Sequence, residues 1–283
     1  MSQFLDNVNN FSEHYNLGPI QKLKILIHYP IFKLNWNKTH GRGLTKKWGD
    51  ILYPFFKNYL INVKMVDKNN QKLVIPLSFD QSDLASFREI FFGLEYGEVL
   101  KIKDIQTVCD IGANTGMASL FFLANFKISK IVLVEANPAL AQKLNEHFQD
   151  DRISVENLAI YGERGSLKFN VSADHRNSGI SDNQDHSGDA IEVSSILMED
   201  LLKKHHLENV DLLKIDIEGA EFNILEKTPQ AFLSFKFIYI EIHGDTEKRN
   251  TFKSKLIEIG FTLLHEKIYD SANCEVSFFK RNS

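Results

Sequence analysis

The segment Val108-Cys109-Asp110-Ile111-Gly112-Ala113-Asn114-Thr115-Gly116 decides the fold. It opens as an apolar run, QTVCDI (106–111), with the length and composition of a buried strand. After two glycines it enters MASLFFLANF (117–126), whose apolar residues recur at helical spacing. A strand that turns sharply into a helix needs residues without a Cβ where the backbone reverses, and Gly112 and Gly116 supply them. The first N–H groups of such a helix have no partner within it and carry a partial positive charge. A phosphate or the carboxylate of an amino acid fits there equally well. Asp110, at the strand tip, is placed to accept a hydrogen bond from a ligand ammonium, directly or through water, with Asn114 in the same turn. A glycine turn that serves packing alone is the plain alternative.

The next strand sharpens the reading. KIVLVE (130–135) ends in Glu135, nineteen residues after Gly116, and is followed by Ala136-Asn137-Pro138. A carboxylate at that tip can accept two hydrogen bonds from a ribose diol, so the pocket suits an adenosine-like nucleoside. The turn reads D-x-G-x-N-x-G and not G-x-G-x-x-G. Its acidic opening would repel a pyrophosphate and welcome an ammonium, which favours S-adenosylmethionine over a nicotinamide dinucleotide.

Further along, ISVEN (153–157), DLLKIDI (211–217) and FKFIYIEIH (235–243) read as buried strands. PALAQKLNEHF (138–148) and SSILMEDLLKKHH (194–206) read as helices, Pro138 suiting a first turn. Alternating strands and helices predict a doubly wound α/β domain with a parallel sheet. FTLLHE (261–266) and CEVSFF (274–279), with no helix between them, predict a closing antiparallel hairpin at the sheet edge.

A second cluster lies on Lys214-Ile215-Asp216-Ile217-Glu218-Gly219-Ala220-Glu221. Asp216 and Glu218 are two apart at a strand's C-terminal end, where open α/β sheets bind ligands. Glu241 and His243 repeat the spacing on the following strand. Three carboxylates and an imidazole should converge if these strands are neighbours. In the plainer reading Glu218 and Glu221 only favour a helix N-terminus, the assignment made here for Glu221, and Lys214 reaches outward as a snorkelling residue.

With these residues in place, the chain resembles the FkbM family of methyltransferases. The likeness rests on VCDIGANTGMAS (108–119), VEANP (134–138), NLAIYGERGSLKF (157–169), DLLKIDIEGAEFNIL (211–225) and EIH (241–243), and runs from about 78 to 266. It implies a class I, Rossmann-like fold with a seven-stranded sheet, and S-adenosylmethionine as cofactor. It also implies O-methylation of a hydroxyl on a sugar, glycan or natural product. By position, Asp110, Gly112, Asn114, Gly116 and Ser119 fall in the first cofactor motif. Glu135, with Ala136 and Asn137, falls at the ribose, Ala159 at the adenine, and Asp216 and Glu218 in the hallmark string. His243 is then the expected general base, with Asp216 or Glu241 orienting it. A second version places a divalent cation on Asp216, Glu241 and His243.

The rest of the chain bounds these expectations. Hydrophobic residues are 43% of the sequence and the net charge is −4, an ordinary globular balance that argues against a nucleic-acid partner. Cys109 and Cys274 read as two buried thiols of a reducing compartment. With neither a signal-peptide pattern nor a membrane-length apolar run, a cytoplasmic location is expected.

Residues 1–77 read as an N-terminal extension ahead of a methyltransferase domain at 78–283. The extension is helical to about 60, with breaks at Pro30 and GRG (41–43), and then INVKMV and KLVIPL flank DKNNQ as a hairpin. SDLASFREIFFGLEYG (82–97) reads as a helical lead into the domain. Region 14–49 carries seven Lys/Arg and no Asp or Glu. It reads as a solvated basic face or as a surface for an anionic membrane or lipid-linked acceptor. The polar, Gly/Ser-rich 172–190 stretch reads as a mobile loop or lid. A fold retained only for binding or scaffolding, and a nicotinamide-dependent oxidoreductase, are the competing readings.

Overall fold

Val, Ile, Leu and Phe crowd the runs that pair into sheets, and amphipathic segments lie between them. The computed structural model describes residues 2–19, 22, 25, 47, 60–78, 81–172, 178–180, 189–269 and 272–282. These form two compact units, residues 1–97 with 120–127, and residues 98–119 with 128–283.

In the first unit, helix α1 (Ser2–His14) precedes an antiparallel hairpin of β1 (Leu60–Val66) and β2 (Lys72–Ser78). Asp67 closes that hairpin, its Oδ1 accepting from the backbone N–H of Asn69 and of Gln71, both at 2.8 Å. Helix α2 (Gln81–Phe87) continues into one π-helical stretch, Arg88–Phe92, and stops at Gly93. The helical lead expected at 82–97 is therefore shorter than its pattern suggested. Phe11, Phe87, Phe91 and Phe121 build the core of this unit through edge-on and stacked ring pairs 5.1–5.7 Å apart. Pro30 and 41–43, and most of the basic region 14–49, lie outside the described residues.

The second unit holds a seven-stranded sheet of β3 (Thr107–Ile111), β4 (Lys130–Val134), β5 (Ile153–Glu156), β10 (Val210–Ile215), β11 (Phe235–His243), β12 (Phe261–Tyr269) and β13 (Cys274–Arg281). Its order is β12-β13-β11-β10-β3-β4-β5, with β13 antiparallel to both neighbours and the β11-to-β5 pairs parallel. This is the doubly wound α/β sheet with a closing hairpin that the sequence predicts. The order reverses between β3 and β10, and there the strand ends open a crevice.

Helices α3 (Met117–Asn125) and α4 (Pro138–His147) connect β3, β4 and β5. Asn137 caps α4 by accepting from Ala139 N–H, and Pro138 takes the first turn. Helices α5 (Met198–Lys204), α6 (Glu221–Lys227) and α7 (Thr246–Glu258) contribute Leu201, Ile224, Phe252 and Leu256 to a fully buried core with Leu213, Ile215, Ile240 and Phe279 of the sheet. Cys109 and Cys274 are both buried and free.

Two expectations need correction. The helix read at 194–206 starts only at Met198, because 194–196 complete a strand, β9 (Asp189–Ile196). That strand belongs to a four-stranded sheet, order β6-β9-β7-β8, with β6 (Ala159–Ile160), β7 (Gly165–Val171) and β8 (Gly179–Ile180). The stretch 172–190 is therefore not wholly loop. Gly179 and Ile180 pair with Asn170 and Phe169, and 189–190 pair with 170–171. Alternation of Phe169, Ile191 and Val193 with polar residues carried that signal at short range. Among the described residues no helix is long and apolar enough to cross a membrane.

Candidate functional site

The turn after β3 is held almost entirely by backbone. Gly112 and Ala113 N–H both donate to Val134 C=O, at 3.0 and 2.9 Å, which ties the turn to the end of β4. Gly112 sits at φ +79°, and a Cβ there would lie 1.9 Å from Asp216 C=O. Gly116 sits at φ +80°, where a Cβ would meet the Phe148 ring at 2.6 Å. These two positions admit glycine for reasons of both space and conformation.

Glu135 locks the same turn from the neighbouring strand. Its Oε2 accepts from Asn114 N–H and its Oε1 from Asn137 N–H, both at 2.7 Å. Burial raises its pKa, the largest effect, although those two N–H donors and Lys214 act the other way. Each carboxylate oxygen keeps a second lone pair. Glu135 also lines a cleft at the switch point of the sheet. Gly112, Asn114 and Ala136 line it beside Glu135, while Asp216 and Glu218 line the opposite side. Leu158, Ala159, Phe169 and Ile180 supply its apolar wall, the last three from the four-stranded sheet. Asn114 Oδ1 is buried and has no hydrogen-bond partner. An unpaired acceptor at the turn, a diol-spaced carboxylate and a flat apolar slot together fit an adenosine bearing an amino-acid tail.

Asp110 takes a different part from the one expected. It is fully buried and does not line the cleft. Its Oδ2 accepts from Ser119 Oγ at 2.7 Å, and Lys214 Nζ stands 3.2 Å from its Oδ1. The ammonium beside it is that of Lys214. Ser119, itself fully buried, likewise supports Asp110. Lys214 does not snorkel: it is 4% exposed, and its ammonium also donates to Gly112 C=O at 2.7 Å. Burial opposes the Lys214 charge, but Asp110, Asp216 and Glu241 outweigh it and raise its pKa.

The acids and the imidazole at the tips of β10 and β11 do converge. One ligand atom each from Asp216, Glu241 and His243 lies within 4.8 Å of the other two. His243 Nε2 stands 3.4 Å from Glu218 Oε2 and 3.7 Å from Glu241 Oε1. Glu218 reaches the group from a turn at φ +54°, past the end of β10, and not from the strand itself.

The carboxylate that orients His243 is neither Asp216 nor Glu241 but Glu221. Glu221 is fully buried, and its Oε1 accepts from His243 backbone N–H at 2.8 Å and pairs with ring Nδ1 at 3.2 Å. Its Oε2 accepts from Gly219 N–H at 2.9 Å. The helix-terminus role assigned to Glu221 from sequence therefore understated it. The missing signal was three-dimensional, since residues 221 and 243 lie a helix and a strand apart in the chain and meet only when it folds.

The charges in this cluster compete. Burial, with Asp216 and other acids nearby, raises the Glu218 and Glu241 carboxyls to about 7 each, against the pull of His243. Burial pushes His243 down, but the Glu221 hydrogen bond and charge, with Glu218 and Asp216, raise it to about 9.

Known proteins resemble this chain in sequence. The sequence model of the Methyltransferase FkbM domain matches residues 110–268, so the chain belongs to the FkbM methyltransferase family. The 2-O-methyltransferase NoeI of Sinorhizobium fredii (strain NBRC 101917 / NGR234) is 24% identical over 164 residues, which are 51% of this chain and 66% of that protein. The match thus spans slightly less than two thirds of that relative. Among solved structures, the FkbM methyltransferase of Methylobacillus flagellatus KT is 17% identical, with 68% of this chain and 47% of that chain covered and a TM-score of 0.45. An rRNA methylase of Streptococcus thermophilus is 11% identical, with 69% and 98% covered and a TM-score of 0.43.

Proposed function

We propose that this FkbM-family methyltransferase uses S-adenosylmethionine to methylate a hydroxyl group of a sugar, glycan or glycosylated natural product. The observation that carries the reading is the position of Glu135, fixed at the tip of β4 in the wall of a cleft whose other side is acidic. The free lone pairs of Glu135 would hold the ribose diol. The slot between Leu158, Ala159, Phe169 and Ile180 would take the adenine. Asn114 Oδ1 would accept from the amino group of the methionine moiety, the task expected of Asp110 before its burial was known. Asp216 and Glu218 favour a cationic ligand on their side of the cleft.

S-adenosylmethionine supplies a methyl group activated on a sulfonium. The chain must place a hydroxyl against it and remove the hydroxyl proton. Placement alone is worth roughly 7 to 11 kcal/mol in favourable cases. Proton removal falls to the Asp216, Glu218, Glu241 and His243 group, the described cluster of titratable side chains that reaches the cleft. A 2-O-methyltransferase among the relatives supports a hydroxyl acceptor.

Titration calorimetry with S-adenosylhomocysteine tests the reading. The product analogue should bind, NAD should not, and Glu135→Ala should weaken binding by about 30-fold or more, near 2 kcal/mol. No affinity for S-adenosylhomocysteine, or unchanged affinity in Glu135→Ala, would overturn it. Binding without methylation of any hydroxyl acceptor would point instead to a fold kept for scaffolding.

A further inference from the structure

We infer that Asp216, Glu241 and His243 form a divalent-cation site, with the buried Glu221 as the group that aims the imidazole at the ion. Carbohydrate or other hydroxyl acceptors would then meet an electropositive centre at the strand tips, and His243 would serve as a ligand and not as the proton acceptor.

Three features of the chain lead there. First, the donor set is mixed: two carboxylates and one imidazole present atoms within 4.8 Å of one another, from the tips of two neighbouring parallel strands. Ligands about 2.1 Å from a common ion lie about 3.0 to 3.4 Å apart. The 3.7 Å between His243 Nε2 and Glu241 Oε1 then closes with a shift of a few tenths of an ångström at each side chain.

Second, the imidazole is already set as a ligand. With Nδ1 paired to Glu221, Nε2 is the nitrogen turned toward Glu218 and Glu241. A carboxylate behind the ring of a metal-bound histidine fixes its tautomer and raises its basicity. Glu221 is 0% exposed and held on its other oxygen by Gly219 N–H, so its place behind the ring is rigid.

Third, apart from the His243 ring, whose proton a bound ion would displace, the positive charge near these acids among the described residues is Lys214. The nearby ammonium, Lys214, stands 3.2 Å from Asp110 and 4.0 Å from Asp216. It serves the Gly112 turn more closely than the tips of β10 and β11. A cation at Asp216, Glu241 and His243 would relieve the mutual repulsion of the carboxylates. Imidazole with two carboxylates suits a first-row ion such as Mn²⁺ better than Ca²⁺. Glu218, 3.4 Å from Nε2, is then the flanking carboxylate that takes the hydroxyl proton.

The role given to the ion rests on the methyltransferase reading, but its binding does not, and the two can be measured apart. The full chain, stripped with EDTA and desalted, is titrated with Mn²⁺ while the free-ion electron paramagnetic resonance signal is followed. One ion per chain is expected. Glu241→Gln and Asp216→Asn should each weaken it at least tenfold. Glu221→Gln, which touches no ion, should weaken it about 10- to 100-fold. Glu266→Gln, on the outer hairpin, should leave it unchanged. S-adenosylhomocysteine affinity of the same samples reports folding and tests the nucleoside site separately. If the wild-type chain takes up no Mn²⁺ to about 1 mM, or if Glu241→Gln and Asp216→Asn bind it as tightly as wild type, the site does not exist. That result would leave S-adenosylhomocysteine binding intact and return His243 to the role of base.

Discussion

The two sides of the cleft are made of different material. On the β3–β4 side the recognising surface is largely backbone, joined by Asn114 Oδ1 and by Glu135, which is pinned by two N–H groups at 2.7 Å. On the β10–β11 side the surface is side chain, with acids about an imidazole and their protons closely balanced. The first side resembles a mould and the second a charge trap. A mould tolerates no added atom, whereas a charge trap responds to pH and to single charges. Substitutions on the two sides should therefore fail in different ways.

The largest effect belongs to the mould. Gly112→Ala puts a methyl group 1.9 Å from Asp216 C=O at a φ of +79°. No side-chain rotation relieves a clash with backbone, so β3 and β10 would have to part. We expect a loss above about 4 kcal/mol, read as failure to accumulate folded protein or as a collapsed melting temperature. A Gly112→Ala protein that melts like wild type would show that the turn is not the rigid element described.

Lys214→Met comes next and lies under the junction of the two sides. It leaves Asp110 fully buried without its ion partner, at a cost of about 3 to 5 kcal/mol. Adding Asp110→Asn should restore much of that loss, because a neutral amide no longer needs the ammonium. A denaturant melt of the two variants checks this. No recovery in the double variant would mean that Lys214 matters for its bond to Gly112 C=O instead.

The same contrast explains what could be read in advance. The mould was legible because its residues are contiguous: Gly112, Asn114 and Gly116 share one turn, and Glu135 ends the next strand. The seven-stranded sheet was legible from apolar runs for the same reason. The charge trap was legible only as an approximate meeting of Asp216, Glu218, Glu241 and His243. Its wiring was not, since a strand's alternation says which face a residue takes and not which partner it finds there. Asp110 shows the limit most clearly. Its position at a strand tip pointed to a ligand, but one residue of register across β3 and β10 sets it opposite Lys214. The four-stranded sheet was obscured because its strands are short and broken by polar, Gly/Ser-rich sequence.

A smaller effect isolates Glu221. Its carboxylate contributes to holding His243 at about 9, against the downward push of burial. Glu221→Gln keeps an acceptor for the ring but removes the charge. The His243 pKa should fall by about one to two pH units, read from its ring proton shifts by NMR titration. If it stays near 9, Glu218 and Asp216 carry the effect, and Glu221 only braces the backbone at His243.

The smallest effect comes from the repulsion among the acids. Glu241 has a folded pKa of about 7, above its ordinary value near 4.5, so the folded chain binds that proton more tightly than the unfolded chain. Its contribution to stability is therefore full below about pH 4.5 and disappears as pH rises through 7. His243 has the same sense in a later window, full below about 6.5 and lost as pH rises through 9. The wild-type melting temperature should accordingly fall in two steps between pH 5 and pH 9. Glu241→Gln removes its own share of the first step and leaves that of Glu218, which titrates in the same window. At pH 8 it should be more stable than wild type by about 1 to 2 kcal/mol, a few degrees, after allowing for its partial exposure to solvent. A divalent cation bound by this group would reverse the comparison, stabilising wild type and not Glu241→Gln. Calorimetric scans at pH 8 with EDTA and with Mn²⁺ thus read the repulsion and its relief on one pair of proteins. Equal melting temperatures in all four samples would mean that Glu241 is paired more completely than its neighbours indicate.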